Sequence, residues 1–178
     1  MRQPLTISKL DAARRQLETA IQLYFHQGEP VSIRTLVSAA YSIIRDINKI
    51  RGGKKMVIQE LFFEYVKPEM HEEVRKLQRK AENFFKHANK DPDAILEFSP
   101  AESELLIWDA CTKYRELTAE QPPLFQVFRG WFMFTHQNWF NLPEDTQRKL
   151  ADVPQFTAEG GRIEFFNLML LMVMKSGS

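Results

Sequence analysis

In the stretch KAENFFKHANKDPD (80–93), Asn83 and His87 stand four residues apart, one helical turn, within a run rich in lysine and arginine. A histidine near its ordinary pKa of about 6.5 exchanges protons close to neutral pH, so beside bound phosphate it can serve as general acid or base toward an RNA 2′-hydroxyl or leaving oxygen. At about 100° per residue, Lys76, Lys80, Asn83 and His87 fall within roughly 60° of one another. They flank an apolar stripe of Leu77, Ala81, Phe84 and Ala88. Between Arg75 and Lys90, six basic residues (Arg75, Lys76, Arg79, Lys80, Lys86, Lys90) accompany one acid, Glu82, a local balance of +5. Such a strip attracts phosphate.

The competing reading is a solvated helix face. Asp91, Asp93, Glu97, Glu102 and Glu104 follow directly, enough negative charge to pair with much of the basic strip and leave His87 bonded to a neighbouring loop or cap. From the sequence alone this plainer reading is favoured.

Other chemistries find less support. His26, His71 and His136 form no HExxH or ExxH spacing, and Glu69, Glu72 and Glu73 do not place two ligands on one helical face with His71, so neither metal nor cofactor is expected. Gly52-Gly53-Lys54-Lys55 lacks phosphate-loop spacing, follows no strand and reads as a helix terminator. Cys111, the single cysteine, lies on the apolar side of its helix with Trp108 and reads as packing. Alone, it excludes an internal disulfide and a cysteine-based zinc cluster, a pattern that a reducing compartment permits.

The elements that position this strip are helices. Ile7, Leu10, Ala13, Leu17, Ala20, Ile21 and Tyr24 recur every three or four residues and predict a helix over 7–25, ended by Gly28 and Pro30. A second helix is expected from an N-cap at Ser32 to Ile50, stopped by Gly52 and Gly53. The short link makes the two antiparallel. A third pattern starts at Met56 and is broken or kinked at Pro68; helix resumes near Glu69 and runs to the turn at 91–93. Ser99-Pro100-Ala101-Glu102 is a capping-box start for the helix carrying Trp108, Cys111 and Tyr114. Beyond Pro122 and Pro123, an aromatic helix is predicted over 124–140, a short one over 142–153 and an apolar one over 163–174. Phe125, Phe128, Trp131, Phe132, Phe134, Trp139 and Phe140 cover more than one stripe of the aromatic helix. They are expected to meet another helix or subunit, with base stacking the sharper alternative.

The fold class is therefore all-α, a helical bundle built on a long antiparallel N-terminal pair. With 178 residues, 44% of them hydrophobic and 26% charged, the chain suits one domain over 1–178. The net charge of +1 argues against a globally basic nucleic-acid binder and leaves room for a local patch. No export signal and no stretch of membrane-spanning length is visible, so the expected location is cytoplasmic, with no membrane partner.

Two long N-terminal helices, followed by one bearing Asn83 and then His87, resemble the HEPN superfamily of all-α domains, many of which are metal-independent endoribonucleases. The family signature is an arginine, four to six residues, then histidine, often with asparagine directly after the arginine. Here Glu82 stands at the arginine position; Lys80 fits the spacing as a different cation, and Arg79 lies one residue beyond it. The resemblance covers about 7–120, with the helices of 124–174 packed on that part. It implies a homodimer whose site, containing Asn83 and His87, lies between facing subunits. A carboxylate in place of the arginine would repel transition-state phosphate, which points to a non-catalytic binding or regulatory module. The expectation is affinity for RNA or a nucleotide through Lys76, Arg79, Lys80, Asn83 and His87. Two alternatives stand beside it: an endoribonuclease of a defence or toxin system with His87 catalytic, and a purely structural interaction module.

Overall fold

The computed structural model describes residues 3–58, 60, 67–89, 91–140, 144–145, 148 and 161–176. Among these the regular elements are helical: α1 (Lys9–Phe25), α2 (Pro30–Ile50), α3 (His71–Lys86), α4 (Ala101–Thr118), α5 (Pro123–Thr135) and α6 (Gly161–Ser176), with 3₁₀ turns at Pro68–Met70 and Gln137–Trp139. The helix predicted from Met56 falls largely, and the one over 142–153 mostly, outside the described residues.

Local chemistry sets the boundaries. Ser8 caps α1, its Oγ accepting the Asp11 N–H at 3.0 Å. Gly28 follows the end of α1, where a Cβ would come within 2.9 Å of the Leu23 side chain. The N-cap of α2 is Glu29, not Ser32: the Glu29 carboxylate accepts the Ser32 N–H at 2.8 Å and Pro30 occupies the first turn. Proline suits that place because its missing N–H would have had no helical partner. Gly52 adopts φ +67° after α2, and the Gly53 N–H donates to Asn48 O at 2.9 Å, closing the terminus as the paired glycines predict. The expected capping box of α4 does not form. No side chain caps that helix, whose N-cap position is taken by Pro100, and the Glu102 carboxylate lies 3.7 Å from Arg34 Nη1.

α1 and α2 make the most extensive contact of any helix pair, α4 lies on α2, and α5 is embraced by α1, α4 and α6. One continuous core draws Leu17, Ile21 and Phe25 from α1, Val37, Tyr41 and Ile44 from α2, and Ile107, Cys111, Phe128 and Phe132 from the later helices. The rings of α5 are absorbed here. Phe128 meets Tyr24, Trp131 meets Phe165, and Phe132 stacks on Trp108, so the wide aromatic circumference is explained by neighbours within the chain. α5 ends at Thr135, short of the predicted Phe140, and Trp139 is exposed, stacked on His136 at 4.3 Å. Among the described residues no helix is long and apolar enough to cross a membrane.

None of the described side chains of α3 belongs to this core, and the helix lies against α2. Arg34, buried on α2, donates from Nη2 to Gln78 O at 3.4 Å, and Gln78 Nε2 donates to Ile58 O at 2.8 Å. Phe85 packs edge-on against Phe98, 5.3 Å between ring centres. These contacts fix which flanks of α3 face outward.

Candidate functional site

Helix α3 carries Glu72 and Glu73 in its first turn and Lys86 in its last, the charge order that complements the helix dipole. It ends at Lys86. His87, expected inside the helix, is its C-cap with extended backbone (φ −136°, ψ 126°), and its N–H donates to Asn83 O at 3.0 Å. Both side chains are exposed.

Lys76, Lys80, Asn83 and His87 line one open groove of about 760 Å³. Phe84 contributes an apolar surface from α3, and the segment bearing Asn89, Asp91, Ile95 and Leu96 forms the opposite wall. Two ammonium groups, an amide and an imidazole thus converge beside apolar side chains that a flat ring can cover.

The acids expected to neutralise this strip are partly engaged elsewhere. Glu102 pairs with Arg34 at 3.7 Å and Glu104 meets His136 Nε2 at 3.4 Å. Glu82 pairs with Lys86 at 2.8 Å, and neither is among the residues lining the groove. Lys76 does have a partner, Glu72 at 3.5 Å, but both side chains are about three-quarters exposed, the class of pair that contributes little. Lys80 makes no ion pair among the described residues, and Asp91 is the acid in the groove wall.

Arg79 is separated from the other four. It lines a second groove, of about 410 Å³, with Arg45 and Lys49 of α2 and His71 and Arg75 of α3. Helical geometry gives the reason, since Arg79 lies about 60° from Lys76 and 100° from Lys80 on the opposite side of the exposed ridge. The expected five-residue set is therefore four residues in one groove and one in another.

A polar cluster that the sequence reading did not single out lies between α2 and α4. Asp109, buried, accepts the Tyr41 hydroxyl at 2.6 Å, the Ile58 N–H at 3.0 Å and the Val57 N–H at 3.3 Å. Lys113, also buried, donates to Lys54 O at 2.8 Å and Glu116 at 2.7 Å, and Asn48 Nδ2 donates to the same Lys54 O at 2.8 Å. The cluster clamps the segment after α2. Its signal was Asp109 and Lys113 set among apolar positions of α4 such as Leu106, Ala110 and Tyr114.

Cys111 is buried, and burial holds its thiol well above the ordinary range, which makes it inert packing. Among the described residues no three of His, Cys, Asp and Glu gather as a metal-holding group. Compared with protein-family models, curated proteins and solved structures, the chain matches none.

Proposed function

We propose that this protein is a HEPN-like, non-catalytic binding or regulatory module that takes RNA or nucleotide phosphate in the groove beside α3. In this reading α1 and α2 form the antiparallel pair of the family and two copies associate. One observation carries it: Lys76, Lys80, Asn83 and His87 line a single open groove, while Glu102 and Glu104 are held by Arg34 and His136. Cations left facing solvent in a concave site are what phosphate recognition requires.

The test is fluorescence anisotropy with a labelled single-stranded RNA. The double variant Lys76→Glu, Lys80→Glu reverses both charges and is expected to weaken binding at least about tenfold. Wild-type affinity is expected to fall steeply between about 50 and 200 mM salt. Affinity unchanged by the charge reversal sinks this reading and favours a purely structural interaction module. Light scattering tests the association of copies, and a monomer at micromolar concentration counts against it.

An endoribonuclease is the second reading, favoured by His87 sharing its groove with Lys80. Glu82 at the motif position, paired with Lys86, opposes it. Structured RNA incubated with chelator decides between them: cleavage that His87→Ala abolishes would establish the enzyme, and no cleavage removes it.

A further inference from the structure

Helix α6 is apolar around most of its circumference. Inward, Phe165 meets Trp131 with ring centres 5.1 Å apart, Phe166 meets Phe25 at 4.7 Å, and Met169, Leu170 and Val173 pack on the core beside them. At about 100° per residue the opposite side of the helix is a narrow ridge of Glu164, Leu168, Leu171 and Lys175, all within roughly 60° of one another. The four are exposed, Leu168 by 43% and Leu171 by 62%, and Glu164 and Lys175 make no ion pair among the described residues. Met172 and Met174 flank this ridge and have contacts of their own. A lone exposed leucine calls for no explanation, but here two are bracketed by opposite charges. The order along the ridge is acid, leucine, leucine, base, and its spacing is symmetric: Leu168 stands four residues after Glu164, and Lys175 four residues after Leu171. Turned end over end about a two-fold axis level with the Met169–Leu170 peptide, the ridge falls back on itself with leucine on leucine and each charge on its opposite, the two charges about 16 Å apart along the helix. An isologous contact requires this self-complementarity. The antiparallel arrangement also sets the positive end of one helix dipole beside the negative end of the other.

We infer that two copies of this chain associate through α6, packed antiparallel across a two-fold axis, with each Leu168 against the partner's Leu171 and each Glu164 paired with the partner's Lys175. The inference rests on the association of copies proposed above and names the surface that carries it. Phosphate binding beside α3 is independent of it, since α3 lies against α2 whereas α6 lies against α5 and α1. One helix pair is a small interface, so the dimer is expected to form with a dissociation constant of about micromolar order.

Sedimentation velocity over a concentration series from about 1 to about 100 µM gives the self-association constant of the wild type and of L168E/L171E, E164K, K175E and E164K/K175E, each checked for folding by circular dichroism. The wild type is expected to dimerise in this range, and L168E/L171E, which sets carboxylates where the leucines meet, to stay monomeric throughout. E164K and K175E each bring like charges together at both ends of the contact and are expected to weaken the dimer about fivefold. E164K/K175E exchanges the two charges and is expected to restore the wild-type constant to within about twofold. A parallel pair would already set like charges against each other, so the single reversals would change little there. Single reversals without effect, or a double variant that associates no more tightly than the singles, overturn the antiparallel pairing. A wild type and L168E/L171E that dimerise equally well refute α6 as the surface and leave the association of copies standing. A wild type monomeric throughout sinks both, and the α3 groove is then judged by RNA binding to the Lys76→Glu, Lys80→Glu variant alone. Should L168E/L171E misfold, the charge exchange carries the test by itself.

Discussion

On α4, Asp109 and Lys113 are 2% and 4% exposed, and between them they hold the Val57 and Ile58 N–H groups and the Lys54 carbonyl of the segment after α2. On α3, Lys76, Lys80, Asn83 and His87 are exposed and line a groove. The two helices have similar lengths, 18 and 16 residues, and both carry many charges. Their surroundings separate the roles. α4 is sandwiched between α2 and α5, where an unbonded polar group would be costly, so its charges survive only as parts of a satisfied network. None of the described side chains of α3 belongs to the main core, and at its exposed positions charge costs little in folding and remains available to a ligand.

The largest expected effect belongs to α4. Asp109→Ala leaves the Tyr41 hydroxyl and the Val57 and Ile58 N–H groups without their shared acceptor. A loss of about 3 kcal/mol is expected in urea unfolding. A near-neutral result would place α4 with α3 and erase the contrast.

A smaller effect comes from alkali. Burial pushes the Tyr114 hydroxyl up to about 12, and Glu120, which accepts its hydrogen bond at 3.2 Å, adds to the rise. The folded state thus holds the proton more tightly than the unfolded chain, whose phenol titrates at about 10. This contribution to stability is complete below about pH 10 and is lost as pH rises from there through about 12. The urea midpoint followed upward from neutral pH, with Tyr114→Phe as reference, checks it; the variant should fall less steeply across that window. Parallel curves would remove Tyr114 from the account.

The smallest change in stability is expected on α3. Lys80→Ala and His87→Ala should each move the unfolding free energy by no more than about 0.5 kcal/mol, even where the Lys76, Lys80 charge reversal weakens RNA binding. A stability loss above about 1 kcal/mol in either would mean that these side chains hold the fold, and the groove would lose its functional reading.

Much of the helical layout was legible in the residues because its causes are local. The apolar spacing from Leu10 to Tyr24, the stop at Gly52 and Gly53, and the proline entry to α5 act within a turn or two of where they stand. Capping was less legible. Ser32 and Ser99 have the right chemistry for N-caps, but Glu29 took the first role and Pro100 holds the cap position of α4, which has no side-chain cap, while Glu102 lies beside Arg34. His87 likewise left the helix one turn after Asn83, so its place in the groove depends on an extended residue that periodicity does not foresee.

The sequence by itself determined that Lys76, Lys80 and Asn83 share a flank, because positions along one helix are related by a fixed rotation. Only the tertiary structure decided what faces that flank. It took Glu102 and Glu104 away to Arg34 and His136, brought Arg45 and Lys49 to the side of Arg79, and buried Asp109 beneath the segment after α2. Charge pairing falls off over a few ångströms, so which charges meet depends on where the folded chain brings distant residues together.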